Sequence, residues 1–372
     1  MTFDDIVAHP GQWLRGDGPH DKIVVSSRIR FARNLKDRPF PGWAKKAERL
    51  KILGEIQDHV AAIPAMDDGY TAPLQDLTAL QKQILVERHL VSREHASKSA
   101  GSAVVISHDQ QLSIMINEED HLRMQSLLPG LQLREAYKIN NEADLFLEDR
   151  VPYAFHPDLG YLTACPTNVG TGLRASAMVH LPALVLAEQI NQIVNSVGKI
   201  GLAVRGLYGE GTEALGNLFQ VSNQTTLGET EEEIIDRLFK VIEQVIEHEQ
   251  NARQMLLERR ANMLLDQIGR AYGVLGHARA IASKEALNLL SVMKLGADLG
   301  LFPESAQLAV DELFMTTQPA HLQLGENKEK LSPEERDTLR ADLVRAKVKK
   351  IPEPDIAKVK PAANGNGKKK EK

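Results

Sequence analysis

The chain has 372 residues, of which 42% are apolar and 26% charged, and these proportions are those of an ordinary soluble globular protein. Its length allows two domains, each with a core of its own. The formal net charge of −5 argues against a nucleic-acid binder, and the single cysteine, Cys165, excludes an internal disulfide framework and cysteine-rich zinc sites. The first residues have no secretory signal, and no apolar run is long enough to span a bilayer, so we expect a cytoplasmic protein.

The first part of the chain is predicted to be rich in strands. β-branched residues predict a strand over residues 22–29, and apolar residues every three or four positions predict a helix around residues 50–60. Two further strands, at residues 103–107 and 112–117, are joined by a polar turn and form a hairpin. Later strand-like stretches are predicted at residues 161–165, 201–207 and 217–222. Because strands follow strands and neighbours look antiparallel, we expect an α+β fold with an antiparallel sheet flanked by helices.

The pattern becomes helical after Thr230. This residue and Glu233 predict a capping box at the start of a helix, and nearly the whole region to about residue 346 has helical periodicity. We place a domain boundary near residue 251, which gives a first domain over residues 1–251 and an all-α domain over residues 252–350. Residues 351–372 are rich in Pro, Gly, Asn and Lys without a periodic apolar face, and this composition predicts disorder.

The first of five polar segments lies on the first predicted strand. Alternation along a strand puts Arg28 and Arg30 on one face and Ile29 on the other. Two neighbouring guanidinium groups repel each other unless an anion lies between them, and phosphate suits their planar forks of donors. Taken alone, however, the pair is better explained as two solvated arginines at the end of a strand.

Two more segments follow apolar strands. The sequence NEEDHLR at residues 117–123 is usually a solvated turn or a helix N-terminus; alternatively, one carboxylate faces a cation and Arg123 faces an anion. Residues 165–176, CPTNVGTGLRAS, join Cys165 to a glycine-rich polar loop that is neither a Walker loop nor GxGxxG. A lone buried cysteine is most often inert, but its place before this loop makes a functional thiolate credible.

The last two segments are RGLYGEGTE at residues 205–213 and FQVSNQTTLG at residues 219–228, and each is weak evidence by itself. The five segments together bring several arginines and acidic loops to one domain. These arginines are Arg28, Arg30, Arg123, Arg174 and Arg205. The combination predicts a polyphosphate bound next to a cation.

Four of these motifs, SSRIR, NEEDHLR, CPTNVGTGLRA and RGLYGEGTEA, occur in an order that resembles the ATP:guanidino phosphotransferases, the family of the creatine, arginine and bacterial protein arginine kinases. Two departures favour the protein arginine kinase branch. Arg28 comes almost at once, without the small helical domain that precedes this motif in phosphagen kinases. The sequence QVSN at residues 220–223, followed by TLG, replaces the DISN and RLG of those enzymes. The sequence RDTLRA at residues 336–341 also fits the phosphoarginine-binding motif of that branch.

The resemblance implies transfer of the γ-phosphoryl group of ATP, with Mg²⁺, to arginine side chains of proteins. A guanidinium stays protonated up to a pKa of about 12, so it needs carboxylates to grip and deprotonate it. By the resemblance, Glu119 and Glu210 take these roles, Cys165 orients the other guanidinium nitrogen, and Glu118 faces the metal or lies behind the site. No set of protein metal ligands is predicted.

The resemblance also implies two sets of binding residues. The nucleotide would be contacted by Ser26, Ser27, Arg28, Ile29, Arg30, His89, Arg123, Arg174, Ala175, Ser176, Ala177, Met178, Arg205, Gly206, Leu207, Tyr208, Gly209 and Glu210. A regulatory phosphoarginine pocket would be formed by Arg336, Asp337, Arg340 and Ala341.

The partners that the resemblance implies are protein substrates with exposed arginines, a second copy of the chain in a homodimer, and a Clp-type protease that degrades the marked proteins during stress responses. Membranes and nucleic acids are not among them, and the sequence leaves open whether an activator protein is required. Two rivals remain. One is a kinase for a small free guanidine, and the other is a phosphoarginine-binding adaptor whose kinase site is inactive. The complete set of arginines, carboxylates and cysteine argues against the loss of catalytic activity that the adaptor requires.

Overall fold

The computed structural model describes residues 1–8, 11–14, 16–206, 214–324 and 331–358. The helices in these ranges are α1 Phe3–Ala8, α2 Lys46–Ala61, α3 Ala79–Glu87, α4 Arg93–Ala96, α5 Leu133–Glu148, α6 Pro182–Leu186, α7 Ile190–Lys199, α8 Glu231–Arg259, α9 Ala261–His277, α10 Ser283–Asp298, α11 Ser305–Thr316, α12 Pro319–Gln323 and α13 Pro333–Val348. The strands are β1 Val24–Arg33, β2 Tyr70–Pro73, β3 Ala103–Ile106, β4 Leu112–Ile116, β5 Leu122–Pro129, β6 Phe155–His156, β7 Gly160–Tyr161, β8 Leu173–His180, β9 Leu202–Gly206 and β10 Leu218–Asn223.

An eight-stranded antiparallel sheet organises the first part of the chain, with the strand order β2-β3-β4-β5-β1-β8-β10-β9. The two-residue strands β6 and β7 pair separately. The predicted α+β fold with an antiparallel sheet is therefore confirmed. The strand predicted at residues 161–165 is wrong beyond Tyr161, because the residues that follow form a loop and a short 3-10 helix.

The two faces of the sheet are covered differently. Helices α2, α5 and α8 pack on one face, where the apolar side chains of the central strands join the main core. On the other face, α1 and α3 cover the β2–β4 end, and Val104 and Met115 pack against Ile84 and Leu85. The part of this second face that lies on β5, β1, β8 and β10 carries the polar side chains described below.

Helix α8 connects the sheet to the C-terminal helices. It begins with the predicted capping box of Thr230 and Glu233, buries an apolar stripe on the sheet, and continues without a break through residue 251 to Arg259. Helices α9 to α13 then pack on one another, as the helical periodicity predicts. The Arg253 side chain donates to the carbonyl of Lys22, just before β1, at 3.0 Å. The last helical turns of α8 are thus anchored to the start of the central strand.

Residues 351–358 take a defined path, although their composition led us to expect disorder. Ile351 is buried, and its carbonyl accepts a hydrogen bond of 2.8 Å from the hydroxyl of Tyr272. The backbone N–H of Asp355 donates to the carbonyl of Leu301. Residues 359–372 lie outside the described residues. Within the described ranges, no helix combines the length and the apolar character that crossing a bilayer requires.

Candidate active site

Strand register places arginine side chains next to one another on the second face of the sheet. Arg30 on β1 pairs with Arg174 on β8, and Arg28 lies two residues earlier on the same face. On the other side of β1, Arg123 of β5 is opposite the next residue of β1 that points to this face. Ile29 is fully buried in the core on the opposite face, as strand alternation predicts. Four guanidinium groups from three strands therefore share one surface.

The neighbouring strand β10 connects this surface to a fifth arginine. The Arg28 guanidinium donates to the amide oxygen of Gln220 at 2.8 Å. Gln220 in turn pairs with Arg205 on the edge strand β9. The five arginines that the sequence singled out are thus on one sheet face.

The electrostatics of this surface favour an anion. Burial, together with the cations of Arg123 and Arg174, lowers the pKa of Arg28 to about 10. Burial and the same neighbours, with Arg28, also hold the pKa of Arg30 well below its ordinary value, and the buried Nε of Arg30 has no hydrogen-bond partner in the described structure. Among the described residues, Arg28, Arg30 and Arg174 have no carboxylate within ion-pair distance. A bound phosphate would relieve this repulsion.

The tight turn between β4 and β5 carries the three acidic residues of the second segment. Glu118 is buried and accepts hydrogen bonds from Arg123 at 2.7 Å and from the Ser92 hydroxyl at 2.5 Å. Burial alone would raise the pKa of Glu118, but the ion pair with Arg123 lowers it to about 2. The Glu119 residue is exposed to solvent, but its carboxylate is partly desolvated by the surrounding protein. This desolvation, together with the nearby carboxylates of Asp120 and Glu118, raises the pKa of Glu119. Glu118 is thus held by Arg123, and Glu119 is the carboxylate that faces outward.

Asp120, which the sequence did not single out, fixes this turn to the cysteine loop. Its Oδ1 accepts from the Asn34 side chain at 2.6 Å and from the backbone N–H of Ala164 at 2.7 Å. Asn34 also accepts the backbone N–H of His121 at 2.9 Å. Because Ala164 precedes Cys165, the side chains of Glu119 and Cys165 are positioned by one hydrogen-bonded unit.

Cys165 lies at the start of a short 3-10 helix, with its Sγ 3.1 Å from the hydroxyl of Thr167. The glycine-rich loop that follows is packed on the residues after β10, where the Thr226 hydroxyl donates to the carbonyl of Val169 at 2.6 Å. Gly170 has a φ of +113°, and a Cβ at this position would stand 2.3 Å from the carbonyl oxygen of Thr226. Only glycine allows this approach, so the loop returns to β8 and brings Arg174 beside Asn168, whose side-chain oxygen it contacts at 3.3 Å.

These groups surround an open polar cavity of about 310 Å³. Its lining is formed by Arg30, Phe31, Ala32, Glu119, Asp120, Arg123, Cys165, Thr167, Asn168, Gly172, Arg174 and Arg205. A larger cavity of about 850 Å³ lies elsewhere, among α1, α11, α12 and α13, and its lining is mostly apolar. Because a polyphosphate needs cations, the smaller cavity is the candidate active site.

Several residues of the predicted nucleotide set do not face this surface. The side chains of Ser27, Ile29, Ala175 and Ala177 lie on the core face of the sheet, so they cannot contact a ligand on the other face. Ser27, for example, donates to the carbonyl of Gly130 at 2.8 Å. Strand alternation alone would have assigned these four side chains to the core face. It leaves three other strand residues of the predicted nucleotide set on the arginine face. Those are Ser26, Ser176 and Met178.

His89 lies beside the arginine surface. Burial and then the charges of Arg28 and Arg93 lower its pKa to about 3, so the ring is neutral. The ring packs edge-on against Trp13, with centroids 4.6 Å apart. Its φ of +60° is the left-handed conformation, and the backbone carbonyl accepts from Gln125 at 2.7 Å. Sequence reasoning missed both Trp13 and Gln125.

Part of the predicted site lies outside the described residues. Leu207, Tyr208, Gly209 and Glu210 belong to this part, whereas Gly206 ends β9.

The predicted phosphoarginine motif is on α13. Arg340 is buried and donates to the carbonyls of Thr317 at 3.0 Å and Ile281 at 2.8 Å, and to the carboxylate of Asp337 at 2.6 Å. Arg336 reaches the carbonyl of Leu331 at 3.4 Å. Ala341 is buried. The Arg340 side chain therefore joins α13 to the end of α11 and to the residues before α10.

Two family models match adjacent parts of the chain. The model described as ATP:guanido phosphotransferase, C-terminal catalytic domain, matches residues 51–252. The model described as Protein-arginine kinase McsB C-terminal domain matches residues 261–359. Both matches agree with the resemblance found in the motifs.

Curated relatives and solved structures agree with these matches. The chain is 48% identical to a protein-arginine kinase of Moorella thermoacetica, over 90% of this chain and 96% of the relative. It is 45% identical to a protein-arginine kinase of Halothermothrix orenii, over 94% of this chain and 99% of the relative. Among solved structures, lombricine kinase has a TM-score of 0.54 at 27% identity, covering 67% of this chain and 70% of that one. The duplicated taurocyamine kinase of Schistosoma mansoni has a TM-score of 0.57 at 27% identity, and the match covers 67% of this chain and 36% of that one. The chain belongs to the ATP:guanido phosphotransferase family, and within it to the protein-arginine kinases.

Proposed function

We propose that this protein transfers the γ-phosphoryl group of ATP to arginine side chains of other proteins. The observation that carries the proposal is the composition of the polar cavity. Its walls place the carboxylate of Glu119 and the thiol of Cys165, which suit a cationic acceptor, directly beside the guanidinium groups of Arg30, Arg123 and Arg174, which suit a polyphosphate. Family membership and the names of the relatives support the same reaction.

On the acceptor side, Glu119 would grip the target guanidinium and accept a proton from the attacking nitrogen. Its outward position and raised pKa make it a stronger base than an ordinary glutamate. Glu210 is proposed as the second carboxylate on the strength of the motif alone. Cys165 would orient the nitrogen that does not react, and the hydroxyl of Thr167 holds its sulfur in place.

On the phosphate side, Arg28, Arg30, Arg123, Arg174 and Arg205 would neutralise the charge that spreads over the phosphoryl oxygens. Mg²⁺, when bound, would supply further charge neutralisation between the phosphates. The described residues contain no cluster of three or more His, Cys, Asp or Glu side chains that suits a metal ion, and Glu118 is held by Arg123. We infer that the phosphates would hold the ion, assisted by the outward-facing carboxylate of Glu119.

The test is mass spectrometry of a disordered, arginine-containing protein after incubation with this chain, ATP and Mg²⁺, kept away from acid because the P–N bond is labile. Free arginine serves as the parallel substrate, and the Glu119→Gln variant as the inactive control. Phosphate on protein arginines alone would support the proposal. Phosphate on free arginine alone would move the chain to the small-guanidine kinases, and phosphate on neither would favour the adaptor or an enzyme that needs an activator.

Further proposals rest on the resemblance. We infer a catalytic domain over residues 1–251 and a helical domain over residues 252–350. We also infer a regulatory phosphoarginine site at Arg336, Asp337, Arg340 and Ala341. The enzyme would act in the cytoplasm as a homodimer and mark proteins for a Clp-type protease in stress responses. The first family model ends inside α8, at residue 252, and the second begins at residue 261, where α9 starts, which supports the division into domains.

A further inference from the structure

Two buried carboxylates hold the ends of residues 87–92, a stretch that we call the 87–92 segment. One carboxylate belongs to Glu87, the last residue of α3, and the other belongs to Glu118, in the turn between β4 and β5. The first binds a helix of the C-terminal part of the chain, and the second binds Arg123 in the candidate active site. The segment therefore connects the C-terminal helices to the polar cavity.

Glu87 fixes the start of this segment to α12. Its carboxylate accepts the backbone N–H groups of Ala320 at 2.9 Å and His321 at 3.1 Å, and it lies 2.8 Å from Nδ1 of the His321 ring. Because an ionised carboxylate only accepts hydrogen bonds, Nδ1 carries the proton of this contact. The side chains of Glu87 and His321 are both 5% exposed. Three donors thus converge on one buried carboxylate, which holds α3 and α12 together.

The turn at the end of α3 ties the rest of the segment to this helix. The N–H of Leu90 donates to the carbonyl of Leu85 at 2.9 Å, and the N–H of His89 donates to the carbonyl of Val86 at 2.9 Å. These are the two hydrogen bonds of a Schellman motif, in which His89 takes the left-handed conformation that glycine usually takes. Such a residue stays in place only where its surroundings fix it, and the Gln125 side chain donates to the carbonyls of His89 and Leu90 at 2.7 and 3.1 Å. The end of α3 and the residues after it therefore form one rigid unit.

Ser92 brings the other end of the segment to the turn between β4 and β5. Its hydroxyl donates to Oε1 of Glu118 at 2.5 Å and accepts the N–H of His95 at the start of α4. The same Oε1 accepts from Arg123 at 2.7 Å, and Oε2 accepts the backbone N–H of Glu119 at 2.7 Å. A displacement of Ser92 therefore moves both a cation proposed for the phosphates and the backbone that carries the proposed base.

Resting on the function proposed above, we infer that Glu87, His321 and Ser92 are positioning residues for phosphoryl transfer. None of these three residues lines the polar cavity, so they act through Glu118. The docking of α12 on Glu87 sets the position of the 87–92 segment, and Ser92 transmits this position to Glu118. The C-terminal helices thus help to arrange the catalytic groups on the sheet.

The test compares two substitutions of His321. In His321→Asn, the side-chain NH2 group can take the place of Nδ1 and still donate to Glu87, whereas His321→Leu removes the donor. We expect His321→Leu to lower kcat with a protein substrate by about tenfold or more, because a displacement of about 1 Å at a reacting group costs up to about a hundredfold. His321→Asn should retain most of kcat. Equal losses in the two variants would overturn the inference.

A double-mutant cycle tests whether the effect passes through Ser92. Ser92→Ala should lower kcat by itself because Glu118 loses a hydrogen bond. In this background, His321→Leu should cost less than it costs in the unmodified protein, since the connection to Glu118 is already broken. Losses that simply add would contradict the proposed route.

The matched control is Ser291→Ala, which removes another buried contact between a C-terminal helix and the sheet. Ser291 on α10 accepts from the Asn217 side chain at 2.8 Å and lies 2.7 Å from Nε2 of His180, at the end of β8. This contact does not involve the 87–92 segment, so Ser291→Ala should leave kcat unchanged well below its melting temperature. A loss equal to that of His321→Leu would overturn the inference, because any weakening between helices and sheet would then suffice.

Hydrogen exchange followed by mass spectrometry tests the same connection without turnover. Because Glu118 binds the N–H of Glu119, the amides of residues 117–121 should exchange faster in His321→Leu than in the unmodified protein. In His321→Asn, they should exchange as in the unmodified protein. Unchanged exchange in His321→Leu would overturn the inference. If the unmodified protein phosphorylates no arginine, by contrast, the proposed function fails while this connection is still tested.

Discussion

Asn34 and Asp120 are joined by a hydrogen bond of 2.6 Å, and this contact links the two acceptor groups of the active site. Asp120 belongs to the turn that carries Glu119, and the same carboxylate oxygen accepts the N–H of Ala164, next to Cys165. The base and the thiol come from segments more than forty residues apart in the chain, at positions 119 and 165. A single buried carboxylate sets the distance between them.

Replacing Asp120 should therefore impair chemistry more than binding. We expect Asp120→Ala to lower kcat by roughly a hundredfold, since a displacement of about 1 Å at a reacting group has this cost, and to leave the KM for ATP nearly unchanged. Asp120→Asn is the matched control, because its amide oxygen can still accept from Asn34 and Ala164. Steady-state kinetics with a protein substrate would decide, and equal loss in both variants would mean that the charge of Asp120 matters, not its position.

Glu119→Gln should remove the base without disturbing the nucleotide side. Loss of a general base typically lowers kcat by about 10²–10⁴-fold, and a similar loss is expected here. ATP affinity, measured by calorimetry, should stay the same because the cations are untouched. In the unmodified enzyme, the raised pKa of Glu119 predicts that kcat/KM falls with acidification from a pH above 4.5. Should the residual activity of Glu119→Gln keep this acid limb, another group must be the base.

Two arginines on β1 should respond in opposite directions to the same substitution. Arg30 stands among like charges, so Arg30→Met should stabilise the ligand-free protein by about 1 kcal/mol while abolishing ATP binding. Arg33 forms a buried ion pair of 2.5 Å with Asp144, so Arg33→Met should destabilise the protein by about 3–5 kcal/mol. Thermal denaturation with and without ATP would measure both effects. A lower melting temperature for ligand-free Arg30→Met would argue that another anion or contact already compensates this charge.

The Glu118–Arg123 pair should make stability depend on acid pH. The pKa of Glu118 is about 2 in the folded protein against an ordinary 4.5, so the folded state favours the ionised form. The resulting stabilisation, on the order of 3 kcal/mol, is complete above pH 4.5 and is lost as the pH falls from 4.5 towards 2. Urea unfolding of the protein and of Glu118→Gln across this range should show the difference between them shrinking. A constant difference would place the contribution of Glu118 in packing and not in charge.

Much of the fold follows from local pattern. Alternation placed Arg28 and Arg30 on one face of β1 with Ile29 opposite, and the capping box at Thr230 marked the start of α8. The β-branched residues predict this strand only as far as residue 29, and Arg28 and Arg30 taken alone are better explained as solvated arginines at its end. The structure continues β1 to Arg33, whose charge is buried only because Asp144 lies on a helix more than a hundred residues later. Such compensation is not visible in a local window.

The site shows the same division between local and long-range information. Motifs identified the arginines, Glu119 and Cys165, which the polar cavity brings together. They could not reveal Asn34 or the contact of Arg28 with Gln220, because both depend on pairing between distant strands. The motifs also placed Ser27 and Ala175 in the predicted nucleotide-binding set. A motif consists of residues that are consecutive in sequence, whereas consecutive residues of a strand point to opposite faces of the sheet.

The hydrogen bond from Arg253 to Lys22 has a consequence for synthesis on the ribosome. The central strand β1 emerges before its neighbours β5 and β8, which follow about a hundred and a hundred and fifty residues later, and its anchor on α8 emerges later still. Until β5 and α5 have been synthesised, the apolar face of β1 lacks the strand and the helix that cover it in the folded protein and is exposed to solvent or to chaperones. Strand β1 can therefore be completed only after the chain has been synthesised through α8.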